Sequence, residues 1–147
     1  MIKPIKNDPN TLFFLVIMGL LVSCTTPSSK NLSIGASDTM SIGVNKAYKL
    51  IKENANNSNF VILDVRKPDD FEKEHIANAI NIDFKSDDFS TKLDSLDKSK
   101  TYLINCYGGF RSKNTMGLMQ KKGFVKLYNM KGGMMKWRVK KLPLVSK

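Results

Sequence analysis

Residues 101–112 read Thr-Tyr-Leu-Ile-Asn-Cys-Tyr-Gly-Gly-Phe-Arg-Ser, and this stretch decides the fold. Tyr102-Leu103-Ile104 is an apolar run of the length expected for a buried parallel strand, and it ends at Asn105-Cys106. Gly108 and Gly109 can take backbone angles that other residues avoid. A helix is predicted from about Arg111 to Lys122, stopped by Gly123 as its C-terminal cap. Cys106 therefore stands at the carboxyl end of a strand, just before a helix N-terminus, where open α/β sheets place their ligands. Such a loop can turn several N–H groups toward one sulfur and favour thiolate, the attacking form, over thiol. Arg111 adds a permanent positive charge suited to an anionic substrate.

Working outward, Phe60-Val61-Ile62-Leu63 and Ala79-Ile80-Asn81-Ile82 read as further short strands, and Val125 to Tyr128 as another. Between them lie helical signals. Val44, Ala47, Tyr48 and Ile51 recur at helical spacing within Ser41–Asn54, and Pro68 suits the first turn of a short helix. Ser86 is an expected N-cap for a helix whose Phe89, Leu93 and Leu96 share one face. Gly132-Gly133 is expected to turn the chain into a last helix through Trp137. Strands alternating with helices predict the α/β class, a small parallel sheet covered by helices on both faces. Trp137, Met116 and Met119 are expected core residues.

With 147 residues, 41% hydrophobic and 25% charged, the chain has the composition of one ordinary domain rather than of a disordered or membrane-spanning protein. Formal net charge is +11; Lys3, Lys6 and Asp8 contribute +1 of it, leaving +10 from Cys24 onward. That surplus suits a solvated basic surface, anionic lipid or small anions. The densest basic cluster, Lys136, Arg138, Lys140 and Lys141, lacks the glycine-aromatic platform of single-strand binders, so no nucleic-acid partner is expected.

The beginning of the chain reads as an address. Residues 1–8 are net positive, and Thr11 to Val22 is apolar but too short for a bilayer span of about 20 residues. Leu21-Val22-Ser23-Cys24 resembles the bacterial lipobox. That resemblance implies that residues 1–23 are removed as a lipoprotein signal peptide and that Cys24 takes the lipid. Residues 24–38 are then the lipidated cysteine and a polar, flexible linker, holding the domain roughly 20 Å from its anchor on random-coil scaling. The domain is assigned to residues 39–147, in the cell envelope of a bacterium, attached to a membrane by several acyl chains. With Cys24 committed to lipid, Cys106 has no disulfide partner in the mature chain.

The domain also resembles the rhodanese family. Val61-Ile62-Leu63-Asp64-Val65-Arg66 is similar to the strand that opens rhodanese domains, and Glu74-His75-Ile76 before Ala79-Ile80-Asn81-Ile82 to their next segment. Cys106 to Ser112 looks like the rhodanese active-site loop, and Lys131-Gly132-Gly133, Trp137 and Pro143 like the C-terminal signature. The resemblance implies a sulfurtransferase in which Cys106 takes the outer sulfur of thiosulfate or a similar donor as a persulfide. The sulfur then passes to cyanide or a thiol. Main-chain groups of Tyr107, Gly108, Gly109, Phe110, Arg111 and Ser112 are implied to bind the substrate and steady the charge. It implies no metal or organic cofactor, a small sulfur-containing anion and a thiol acceptor as partners, a monomer, and ping-pong kinetics. Asp64, Arg66 and His75 are expected to be structural.

Two departures from the family pattern stand out. Glu74 takes the place of a usual glycine, which predicts a differently shaped turn. Tyr107 and Phe110 make the loop aromatic, which leaves room for a donor other than thiosulfate. Rival readings are a phosphatase and a non-enzymatic rhodanese-like module that binds a partner or senses redox state in the cell envelope. Phosphatases of this fold carry arginine six positions after the cysteine; here Arg111 is five positions on, and Ser112 is sixth.

Overall fold

The computed structural model describes residues 38–146, so the signal peptide, Cys24 and all but the last residue of the linker lie outside the described residues. The short apolar runs form strands, because each is flanked by a helix that covers it. In chain order the elements are β1 (Asp38–Gly43), α1 (Val44–Glu53), β2 (Phe60–Asp64), α2 (Pro68–Lys73) and β3 (Ala79–Asn81). There follow α3 (Phe89–Asp94), β4 (Thr101–Asn105), α4 (Phe110–Lys121), β5 (Lys126–Lys131) and α5 (Gly133–Val139). All strands run parallel in a five-stranded sheet of order β1-β5-β4-β2-β3. β4, which leads to Cys106, is its central strand.

Side-chain alternation along β4 feeds two cores. Tyr102, Ile104 and Cys106 face α3 and α4, among Leu63, Phe89, Leu93, Met119, Phe124 and Leu127. Leu103 faces the other way, toward Ala47, Met130, Met134 and Trp137, between the sheet and helices α1 and α5. Trp137 and Met119 are fully buried, one in each core, and Met116 packs against the core that holds Met119, as expected of core residues. Among the described residues no helix is long and apolar enough to cross a membrane.

Two local expectations are corrected. The segment from Ser41 does not begin as a helix: Asp38–Gly43 is an edge strand paired with β5, and the helix starts at Val44. Ile42 is buried and Met40 is exposed on the same face of this strand, so no simple apolar alternation marked it. Ser86 does not cap α3 with its side chain; its hydroxyl donates to the Asp83 carbonyl, and Asp88 precedes the helix. Pro68 does open α2, and Gly123, at φ +90°, follows the end of α4 in the left-handed region.

Candidate active site

Cys106 leaves the end of β4 with its sulfur under the first turn of α4 and is only 1% exposed. Three groups reach its Sγ. The Gly109 N–H donates at 3.1 Å, the Ser112 N–H at 3.5 Å, and the Ser112 hydroxyl lies at 3.4 Å. Gly109 makes this possible: at φ +97° it turns the chain into α4, and a Cβ there would lie 2.9 Å from the Gly132 nitrogen.

Burial is the largest single influence on the Cys106 thiol and pushes its pKa up. The Ser112 hydroxyl, the Ser112 N–H and the Gly109 and Gly108 N–H groups together outweigh it, so the thiol titrates below its ordinary value. Only the thiolate is a strong nucleophile.

The other predicted loop residues occupy the rim. Tyr107 and Phe110 are 51% and 75% exposed, and Arg111 is half-buried at the start of α4. None of the three hydrogen-bonds to the sulfur among the described residues. The N–H groups of Phe110 and Arg111 lie in the first turn of α4, where no carbonyl of the helix can accept from them. Ser112, at the sixth position after the cysteine, is fully buried against the sulfur. An arginine is thus missing from the position that a phosphatase of this fold requires.

The loop is fastened from behind by α5, a contact that the sequence did not disclose. The Met134 and Met135 N–H groups donate to the carbonyls of Cys106 and Tyr107 at 2.9 and 3.0 Å. These carbonyls are thereby drawn away from the sulfur, leaving N–H groups on its side. Gly133, at φ +54°, permits the approach: a Cβ there would stand 2.3 Å from the Cys106 carbonyl oxygen. Gly132-Gly133 is therefore more than a turn; it is the surface on which the loop rests.

Asp64, Arg66 and His75 take structural places. Asp64 and Arg66 are 0% and 1% exposed, and the guanidinium grips the carboxylate through Nε and Nη2, the shortest bond being 2.7 Å. Arg66 Nη2 also donates to the Glu74 carbonyl at 2.7 Å. The His75 ring stacks on Phe71 with centroids 4.0 Å apart, and its Nδ1–H donates to the Phe71 carbonyl at 2.8 Å. Glu74, in place of the usual glycine, needs no unusual backbone: its φ of −166° is extended. Its carboxylate instead accepts from Arg138, whose guanidinium lies 5.7 Å from the centroid of the Tyr107 ring. The sequence also left Asn129 unmarked, although it is 3% exposed and accepts the Ser112 hydroxyl at 2.6 Å.

A parallel α/β domain that presents a dipole-held thiol between a central strand and a helix defines a protein of the rhodanese-like fold class. The profile of the Rhodanese-like domain matches residues 47–140, and the chain belongs to that family. It is 35% identical over 94 residues to the thiosulfate sulfurtransferase GlpE of Coxiella burnetii, a match spanning 63% of this chain and 81% of the relative. A putative sulfurtransferase of Bacillus subtilis, YtwF, is 36% identical over 76 residues, covering 52% and 71% of the two chains. Among solved structures, a rhodanese-related protein from Thermoplasma volcanium superposes with a TM-score of 0.61 at 27% identity, covering 74% of this chain and 99% of that one.

Proposed function

We propose that this rhodanese-type sulfurtransferase moves a sulfane sulfur from thiosulfate or a similar donor to a thiol or cyanide acceptor through a Cys106 persulfide. The observation that carries the reading is the Cys106 sulfur, buried yet met by the Gly109 and Ser112 N–H groups and the Ser112 hydroxyl. The thiolate attacks the outer sulfur of the donor. A new S–S bond forms, the donor's S–S bond breaks, and sulfite leaves with its electron pair. The acceptor then attacks the outer sulfur of the persulfide, and the Cys106 thiolate departs as leaving group. N–H groups fixed before the reaction need no reorganisation to stabilise the anionic sulfur at each stage. Those of Phe110 and Arg111 are available to the outer sulfur, and the Arg111 side chain at the rim attracts the donor anion.

Mass spectrometry of the purified protein after thiosulfate treatment tests this. The expected result is a gain of one sulfur atom, removed by cyanide and absent in Cys106→Ala. No adduct with any sulfur donor, despite a titratable thiol, would favour the partner-binding or redox-sensing module instead. The proposed place of action is the bacterial cell envelope, with Cys24 carrying the lipid. Labelled palmitate should then attach to the wild type and fail to attach to Cys24→Ala.

A further inference from the structure

Cys106 has a rival for the Ser112 hydroxyl. That hydroxyl carries a single hydrogen, which it donates to Asn129 Oδ1 at 2.6 Å while the oxygen lies 3.4 Å from the Cys106 sulfur. One hydrogen cannot be directed at both acceptors. Asn129 in turn donates from Nδ2 to Ser41 Oγ at 3.1 Å. Ser41 and Asn129 are register partners on β1 and β5, so the sheet itself sets this contact. A file of polar groups therefore runs from the buried sulfur through Ser112 and Asn129 to Ser41, which is exposed. Four different elements of the fold contribute to it: the end of β4, then α4, β5 and β1.

The direction of this file depends on the amide at its centre. A carboxamide accepts on one side and donates on the other, and a half-turn about its last torsion exchanges the two. With Oδ1 toward Ser112, the hydroxyl hydrogen points away from the sulfur, and a lone pair of Oγ faces it. That arrangement suits a neutral thiol, whose S–H can donate to Oγ. With the amide reversed, Nδ2 donates to Ser112 Oγ, and the hydroxyl hydrogen is turned onto the sulfur. That arrangement suits a thiolate. The Ser41 hydroxyl, both donor and acceptor, satisfies the amide either way. Each bond in such a chain polarises the next, so the file acts as a unit.

We propose that Asn129 is a positioning residue whose side-chain amide turns over when Cys106 ionises, delivering the Ser112 hydroxyl hydrogen to the sulfur. No proton travels along the file. The thiol proton leaves to solvent, the Ser112 O–H rotates about its bond, and the amide reverses. The charged side chains on the surrounding elements are Arg111, Lys113 and Lys121 of α4, Lys126 and Lys131 of β5, Lys136 and Arg138 of α5 and the Asp64–Arg66 pair on and just after β2. None of them hydrogen-bonds to Ser112, Asn129 or Ser41 among the described residues. The inference rests on Cys106 working as a thiolate, and it is independent of the sulfur donor.

The test is NMR of the full chain in detergent, labelled with nitrogen-15, following the Asn129 side-chain amide while Cys106 is titrated. The expected result is that both Nδ2 protons shift with the midpoint of thiolate absorbance, and that Ser112→Ala abolishes the shift. Amide resonances that stay flat through the thiol titration, or that move equally in Ser112→Ala, overturn the proposal. Alkylation by iodoacetamide gives a second measurement. Asn129→Asp, which when ionised accepts on both sides, is expected to slow alkylation at neutral pH about tenfold, one pKa unit's worth. On a Ser112→Ala background the same substitution should slow it distinctly less, since only through-space repulsion is left; equal slowing on both backgrounds overturns the proposal. Neither measurement uses a sulfur donor. Absence of a persulfide would therefore sink the sulfurtransferase reading and leave this one standing, and flat amide resonances would do the reverse.

Discussion

The ends of β2 and β4 lie side by side in the sheet, with Asp64 and Asn105 as register partners; β2 ends in a buried group able to carry charge, and β4 is followed at once by another. They treat that charge in opposite ways. At the end of β2, the Asp64 carboxylate is gripped by Arg66, an ion of opposite sign two residues away and equally buried. After β4, the Cys106 sulfur touches no cation among the described residues; N–H groups and one hydroxyl surround it. An ion locked to a counter-ion is unreactive and serves architecture. A thiolate stabilised by dipoles keeps its electron pair available, because nothing has to be displaced before it attacks.

That contrast makes its largest prediction at Cys106. Cys106→Ala should abolish sulfur transfer in a thiosulfate–cyanide assay while the thermal midpoint moves by only a few degrees. At the neighbouring strand end the pattern should invert. Arg66→Leu leaves the Asp64 carboxylate buried without its partner and should cost about 3–5 kcal/mol in urea unfolding. A loss below about 1 kcal/mol would break the comparison, for the pair would then be holding nothing.

Gly133→Ala should come next. Its new methyl group must push the Cys106 carbonyl away, so activity should fall with a loss of about 1–3 kcal/mol in stability. Ser112→Ala sharpens the dipole half of the comparison. Loss of a hydrogen bond to a charged sulfur, worth about 1.5 kcal/mol or more, should slow alkylation at neutral pH by about tenfold. In the wild type, thiolate fraction rises as pH climbs through the lowered pKa, so alkylation should level off below the ordinary thiol value of 9.0. The sign for stability follows from the same lowering. The contribution is fully present above the unfolded thiol's pKa and is lost as pH falls through the folded one. Smallest of all should be Glu74→Gln at the surface pair with Arg138, less than about 1 kcal/mol in the same urea experiment.

Much of this layout was legible in the sequence because its signals are local. Phe60–Leu63 and Tyr102–Ile104 are unbroken apolar runs, Pro68 and Gly123 mark helix ends, and Cys106 with Gly108 and Gly109 announces a strand–loop–helix junction. β1 was missed because its reason for being a strand lies on β5, across most of the chain, and its own residues mix exposed and buried positions. Ser86 has the right chemistry for a cap, but the Asp83 carbonyl captures its hydroxyl. The fastening of the loop by Met134 and Met135, and the file through Asn129 to Ser41, depend on tertiary neighbours that no spacing rule connects. For the candidate site, then, the cysteine at the strand–helix junction and the loop that turns N–H groups toward it were readable, and the parts that hold that loop in place were not.

The bonds from Met134 and Met135 to the Cys106 and Tyr107 carbonyls also impose an order in time. A chain made from its N-terminus exposes Cys106 well before α5 exists to dock behind it. Until then the Cys106 and Tyr107 carbonyls lack these two donors, and the loop has no backing. The setting of N–H groups around the sulfur is therefore complete only after α5, which follows Cys106 by a helix and a strand, has been made and has docked.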